Sequence, residues 1–514
     1  MYNKWYPKIN MIKNVLLVFL SSLLFYLASP KADIYFLAWI AFVPFLYVLY
    51  KSEKIKISFL YGYIFGVFFY LLTYFWMNGL YEFVGILASI GWIIQAVFQG
   101  LYFGLFAVLF FYLKREKNFW IKAIAVPSLW ILMEFLMSLM PFGITVNIGY
   151  TQRLLTELIQ LCSVTGVLGI TFLIIYLNNI FALFMINKNI SKKNRIYSAL
   201  LFISIISLVI IYGTNRLNKN YSVNSGSRKI RIAVIQPSFT ILEKVLQRNH
   251  KFMKDRCFAM TKAAMDYKPD IIIWPETAIL PILMIENKFF LKDINNLLRD
   301  EDVVFISGTW RREKGKYGFY NSSVIIENGK IIGWQDKTQL IPFGEYLPLR
   351  SLFMKVPLFG KSPYFSYDLN AVKDIKAIET SKANLGILIC VDSVFPETVK
   401  KFINKGVNLI ITITNDSWFG KSTALYQHIL TGYFRAVENK INFIQVANTG
   451  ISAVIDPFGR LEKISKVNST EIILHDIYLT KPDTIFLKYG NYYLFVPFIL
   501  VFLCLLRNFR SKNI

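Results

Sequence analysis

The sequence predicts a multi-pass α-helical membrane domain joined to one layered α/β domain outside the cytoplasm. Three observations carry this expectation. Charged residues make up only 17% of the chain and hydrophobic residues 55%, whereas a soluble globular chain carries about a quarter charged residues. Apolar stretches near the roughly 20 residues needed to cross a bilayer recur through the first 213 residues and once more near the end. Between them, from about 214 to 483, the pattern switches to alternating strand-like and helix-like runs.

Eight spans are expected, at 12–29, 33–50, 57–80, 84–113, 119–140, 164–186, 197–213 and 485–506. The first has Lys4, Lys8 and Lys13 before its apolar core, as a signal peptide would. It lacks a small-residue cleavage site before Pro30 and another span follows at once, so it reads as retained. The loops then set the orientation. The N-terminal segment, KSEKIK (51–56), KREKNFWIK (114–122), NKNISKKNR (187–195) and the tail RNFRSKNI (507–514) each hold three or four Lys and Arg. The alternate loops, around 31–33, 78–82 and 141–160, are poor in them. Basic loops stay inside, so both termini are expected in the cytoplasm. The expected layout is seven spans in 1–213, an extracytoplasmic domain at 214–483, and a last span with a cytoplasmic tail at 484–514. Much of the net charge of +25 is thereby topogenic, which argues against a nucleic-acid partner.

Within 214–483, strand-like runs fall at 229–236, 270–276, 303–310, 322–337, 384–390, 408–416 and 442–459, with helical patterns at 241–266 and 423–439. Several runs are apolar on both faces, as sheets covered by other layers require. The four cysteines (Cys162, Cys257, Cys390, Cys504) show no metal-site or disulfide spacing. Only three histidines exist, which leaves little material for a His-based metal centre or a Ser-His-Asp triad.

Three polar residues close strand-like runs: Glu276 ends IIIWPE, Lys337 ends IIGWQDK, and Cys390 ends LGILIC. Strand ends of an α/β sheet converge on one crevice. A thiol nucleophile needs a base or a cation beside it. With histidine scarce, a carboxylate can take the proton and a lysine can stabilise developing negative charge, so the three form a self-sufficient acyl-transfer set. Each also has a plain structural reading, as a buried thiol, a helix-start acid and a solvated lysine. His428 reads as structural.

The surrounding motifs narrow this. WPETA (274–278), K-x-x-L-I-P-F-G-E (337–345) and the Cys390 strand, in that order, resemble the nitrilase (carbon–nitrogen hydrolase) superfamily and its Glu-Lys-Cys triad. AVIQP (233–237), NDSWFG (415–420) and ANTGISAVIDPFG (447–459) match as well. With spans on both sides and PFGEYLPL (342–349), the whole chain resembles the membrane branch of that superfamily, the apolipoprotein N-acyltransferases. The resemblance implies an αββα sandwich, an enzyme of the bacterial inner membrane, and no metal or nucleotide cofactor. It implies Glu276 as general base, Lys337 at the oxyanion and Cys390 as nucleophile. Glu345, Asp392, Val391, Asn415 and Trp418 would be supporting, oxyanion or substrate-binding positions, and Asn448 would shape the site. A phospholipid would give its sn-1 acyl chain to Cys390, and the α-amine of a diacylated apolipoprotein would take it. Three positions depart from the family pattern: Val391 and Asp392 replace the usual Tyr-Glu after the nucleophile, and Val245 stands near the usual Trp.

Two other readings stay open on residues alone. A membrane-tethered amidase would use the same triad with water as acceptor. A transporter or receptor could carry an inactive outer domain, although Glu134 is the clear ionisable residue inside the spans, and transport pathways normally hold several. The aromatic-rich stretch 61–83 would either line an acyl groove or serve helix packing and the interfacial belt.

Overall fold

The computed structural model describes residues 6–139, 146–218, 228–246, 249–279, 285–298, 301–360 and 367–510. The chain divides into two compact units, Met1–Asn218 with Lys488–Ile514, and Lys219–Leu487.

Among the described residues the first unit has seven helices long and apolar enough to cross a membrane: Asn10–Ala28, Ile55–Thr73, Ile86–Leu113, Phe119–Ser138, Val167–Ile186, Lys192–Leu217 and Tyr492–Phe509. The second expected span, 33–50, is instead a broken stretch, Tyr35–Lys51. Its 17 residues stand at the lower end of the roughly 17–25 with which a helix crosses a bilayer. The break falls at Phe42, just before the Val43–Lys51 helix with Pro44 in its first turn. The backbone groups are matched from outside, because Asn178 accepts from Phe42 N (2.9 Å) and donates to Ala38 O (3.0 Å).

Small residues let the helices of this unit approach closely. A Cβ on Gly62 would lie 2.2 Å from Phe103 O, and one on Gly66 2.8 Å from Gly100 Cα. Around that contact Phe25, Phe42, Phe45, Phe65, Phe69, Phe106 and Trp130 are buried, with ring pairs such as Phe25–Phe69 at 4.2 Å and Phe45–Phe65 at 4.4 Å. In the run 61–83, Tyr61, Phe65, Phe69, Tyr70 and Tyr74 therefore serve helix packing, while Phe75 and Tyr81 are exposed. Glu134 is buried and accepts four hydrogen bonds of 3.0–3.1 Å, from Trp130, Asn147, Ile148 N and Thr171. Its acceptor capacity is spent on joining two helices to the 147–148 segment.

The second unit holds two six-stranded sheets. One has the order β12-β1-β2-β3-β4-β5 and the other β11-β10-β9-β8-β7-β6. The strands are β1 Lys229–Gln236, β2 Ile271–Ile273, β3 Val304–Arg311, β4 Tyr320–Glu327, β5 Lys330–Asp336, β6 Ile378–Glu379, β7 Asn384–Ile389, β8 Leu409–Thr414, β9 Phe443–Ala447, β10 Ala453–Ile455, β11 Leu461–Ile464 and β12 Glu471–Tyr478. Strand side chains alternate faces, and here both faces of the central strands are apolar. Ile232, Val234, Ile271, Ile273 and Ile306 of the first sheet share a core with Ile387, Ile389, Ile411, Ile413 and Ile444 of the second. The opposite face of the first sheet, with Ala233, Ile235, Ile272 and Phe305, packs on Met253, Cys257 and Met260 of the His250–Met265 helix and on Phe290 and Ile294 of the Lys288–Leu297 helix. The Ala424–Asn439 helix covers the second sheet. It comes so close that a Cβ on Gly432 would sit 2.7 Å from the Phe443 ring. The result is the αββα sandwich.

Candidate active site

Glu276 follows β2 after Trp274 and Pro275, Lys337 follows β5, and Cys390 follows β7, so all three side chains leave strand ends of the two sheets. They are buried, with exposures of 6%, 0% and 6%. Lys337 Nζ lies 2.7 Å from Glu345 Oε1 and 3.9 Å from Glu276 Oε1. The Glu345 carboxylate is fixed in turn by Ile341 N (2.8 Å). Glu276 is held by Asn321 Nδ2 at Oε1 (2.5 Å) and by Asn415 N at Oε2 (2.7 Å). Asn321 O also accepts from Lys337 N (2.8 Å), so β4 ties base and lysine together.

Cys390 has φ +52°, a left-handed conformation that non-glycine residues seldom adopt and that costs about 1–3 kcal/mol unless its surroundings impose it. Here they do. The chain turns from β7 into the 3-10 turn Cys390–Val394, and Ser393 Oγ donates to Cys390 O (3.1 Å). Asp392 anchors the turn. Its carboxylate accepts from Ile389 N (3.1 Å), Thr338 Oγ1 (2.8 Å) and Gln339 N (2.8 Å). Those donors lie beside Cys390 and directly after Lys337, so one carboxylate staples the lysine loop to the cysteine turn. Val391 is half-buried against the inter-sheet core. Asn415 accepts from Asn448 Nδ2 (2.9 Å) and Ser417 Oγ (2.8 Å), and Asn448 also bonds Phe239 N and O. Trp418 is half-buried in the adjoining turn, Asp416–Phe419. Val245 closes the Ile241–Val245 helix, and its side chain lies outside the described residues.

The charges set the resting state. Burial pushes the Cys390 thiol well above its ordinary value, the Lys337 ammonium works against this, and Glu276 adds to it. The thiol is therefore protonated at rest and needs a base. Burial also raises Glu276, with Lys337 opposing, which moves the carboxylate toward the proton affinity a base requires. Burial would lower Lys337, but Glu345 and the other acidic groups around it reverse the direction and hold it protonated. Asp392 is pushed up by burial to about 6, with Lys337 and its hydrogen bonds opposing.

One titratable neighbour, Lys244, escaped the sequence reading, and a second, His428, was read there as structural. Lys244 is 2% exposed, and its Nζ donates to Thr277 Oγ1 (3.1 Å) and Glu276 O (3.4 Å). Burial lowers it to about 8, against the pull of Glu276. His428 Nδ1 lies 2.9 Å from Asp416 Oδ1. Burial depresses the imidazole, yet Asp416 and the Cys390 carbonyl carry it above its ordinary value. The signal for Lys244 was a lysine in the short helix ILEKV just after the first strand; for His428 it was an acid twelve positions earlier, in the turn after β8.

The four-layer sandwich with glutamate, lysine and cysteine at its strand ends defines a class: a nitrilase-type domain joined to a helical membrane unit. Residues 231–481 match the carbon-nitrogen hydrolase family and residues 21–180 the apolipoprotein N-acyltransferase N-terminal domain. The chain is 29% identical over 496 residues to the apolipoprotein N-acyltransferase of Geobacter metallireducens, covering 93% of this chain and 92% of that one. It is 30% identical over 509 residues to the apolipoprotein N-acyltransferase of Rickettsia prowazekii, covering 95% and 96%. Among solved structures, Saccharomyces cerevisiae Nit3, a nitrilase-superfamily member, aligns at 20% identity and TM-score 0.39 over 49% of this chain and 90% of that one. The chain belongs to the apolipoprotein N-acyltransferase family.

Proposed function

We propose that the enzyme moves an acyl chain from the sn-1 position of a phospholipid to the α-amine of a diacylglyceryl-modified apolipoprotein cysteine, through a thioester on Cys390. The observation that carries this reading is the buried Lys337 ammonium between two carboxylates, beside a protonated thiol. Glu276 takes the Cys390 proton as sulfur attacks the ester carbonyl, and Lys337 stabilises the oxyanion. The ester C–O bond then breaks, and Glu276 returns the proton to the departing lysophospholipid oxygen. The incoming amine attacks the thioester, gives a proton to Glu276, and thiolate leaves to be reprotonated. Glu345 positions Lys337, Asp392 positions the cysteine turn, and Asn415 orients Glu276. Val391 and Trp418 serve as supporting or substrate-binding positions, a reading that rests on the resemblance alone. The catalytic unit stands on the periplasmic side of the inner membrane with both termini in the cytoplasm, supported by the basic loops. A site at the bilayer surface spares its substrates exposure of about 0.8 kcal/mol per methylene to water.

Intact mass spectrometry of the purified chain after exposure to phospholipid tests this. One added acyl chain, labile to hydroxylamine and absent from Cys390→Ser, is expected. A diacylated lipopeptide should clear it and appear triacylated. No adduct on the unmodified chain would overturn the reading, and clearance by water alone would point to a hydrolase.

A further inference from the structure

Helix ends in the membrane unit enclose a cavity of about 470 Å³, inside the roughly 300–1,000 Å³ range usual for ligand pockets. Its cations are Lys114, Arg115, Lys117 and Lys122, from the connection between the Ile86–Leu113 and Phe119–Ser138 helices. Its apolar wall is Tyr50, Phe119, Leu183, Ile186 and Ile190. None of the described lining residues is acidic. Glu116, in the same connection, is buried; it accepts from Asn118 N (2.9 Å) and Arg507 Nη1 (3.5 Å) and offsets part of the charge of Lys122.

The cations are held rather than merely nearby. Lys114 Nζ donates to Leu49 O (3.0 Å) and Tyr50 O (3.3 Å), at the C-terminal end of the Val43–Lys51 helix, and to Ser52 O and Ser52 Oγ (3.1 Å) just beyond it, so it gives the pocket charge rather than a free donor. The Arg115 guanidinium packs 5.0 Å from the Phe111 ring and 5.6 Å from the Tyr112 ring. Asn118 Oδ1 already accepts from Trp120 N and Ile121 N, so the positive field comes from side chains rather than from open helix amides. Beyond the pocket, Ile124 on the Phe119–Ser138 helix and Phe181 and Met185 on the Val167–Ile186 helix are exposed. Lipid tails would lie against such a surface.

We propose that this pocket binds the headgroup phosphate of an anionic phospholipid, its tails running along the exposed faces of the Phe119–Ser138 and Val167–Ile186 helices. Cations clustered at the end of a membrane helix bundle attract such headgroups. The apolar half of the wall selects a lipid over a free phosphate ion, which would leave that surface unused. The site is separate from Glu276, Lys337 and Cys390 and does not depend on the acyl-transfer reading.

Native mass spectrometry of the full chain in detergent, titrated separately with phosphatidylglycerol and phosphatidylcholine, tests it. One retained phosphatidylglycerol is expected in preference to phosphatidylcholine. Lys117→Gln with Lys122→Gln should weaken that retention at least about tenfold, with the melting temperature unchanged. Ile186→Trp, which fills the pocket and keeps every charge, should weaken it too. A photoactivatable phosphatidylglycerol on the unmodified chain should label 114–122 or 183–190, which needs no variant. Equal retention of both lipids, unchanged retention in both variants, or labelling confined elsewhere would overturn the proposal. So would displacement by millimolar inorganic phosphate, which would make the pocket a site for the free ion.

Discussion

Glu276 is restrained at both oxygens, so in the proposed mechanism its pull on the thiol proton depends on a fixed hydrogen-bond set rather than on solvent. Glu276→Gln keeps the shape and removes the base; thioester formation, followed as the acyl adduct, should fall at least about 100-fold while melting temperature stays near that of the parent. Lys244 permits a prediction about pH. Its folded value of about 8 lies below the ordinary 10.5, so between those values the unfolded chain binds more protons. Stability from this group is present above about 10.5 and is lost as pH falls through about 8. Lys244→Met should therefore remove a rise in stability of roughly 3 kcal/mol between pH 8 and 10.5, seen as a flatter plot of melting temperature against pH. Glu276, Lys337 and Cys390 were legible because each ends an apolar strand and sits in a dense motif. Asn321, Lys244 and His428 were not, since their contacts join residues 45, 33 and 12 positions apart with no local pattern to announce them.

At the scale of elements, the central strands were legible because runs such as KIRIAVIQ are apolar on both faces. The run 322–337 is two strands, β4 and β5, reversed at Asn328 (φ +50°) and Gly329 (φ +71°); consecutive positive φ values make the tight turn of a β-hairpin. The helical pattern at 241–266 likewise divides into Ile241–Val245 and His250–Met265. Edge strands β6, β11 and β12 were missed: the first two are short, and β11 is exposed throughout. The broken Tyr35–Lys51 stretch read as a continuous span because hydropathy does not register a break whose backbone groups are satisfied by Asn178. Strand neighbours also shape the chemistry. A Cβ on Gly308 of β3 would meet Glu276 Cα and Thr277 N, both at 2.5 Å. Gly308→Ala should displace the base, cutting the acylation rate by more than tenfold while costing about 1–3 kcal/mol of stability. Rate and denaturant midpoint measured on one preparation separate the two effects.

For the whole molecule, orientation is the property most open to direct test. The four native cysteines are buried, so introduced thiols report cleanly. In intact cells stripped of their outer membrane, an impermeant maleimide should label Lys314→Cys and spare Lys188→Cys, both at exposed positions. Labelling of the second alone would invert the topology.

The pairing of Lys337 with both Glu276 and Glu345 has a consequence for the charge of the site through the proposed cycle. Two carboxylates, one ammonium and a neutral thiol sum to a single negative charge. When the thiol proton passes to Glu276 and on to the leaving alcohol, the acylated site carries that same sum. Aminolysis restores the thiol with the sum again unchanged. In the proposed cycle, with the acceptor entering as the free amine, no proton has to be drawn from bulk water or released to it between the two acyl transfers.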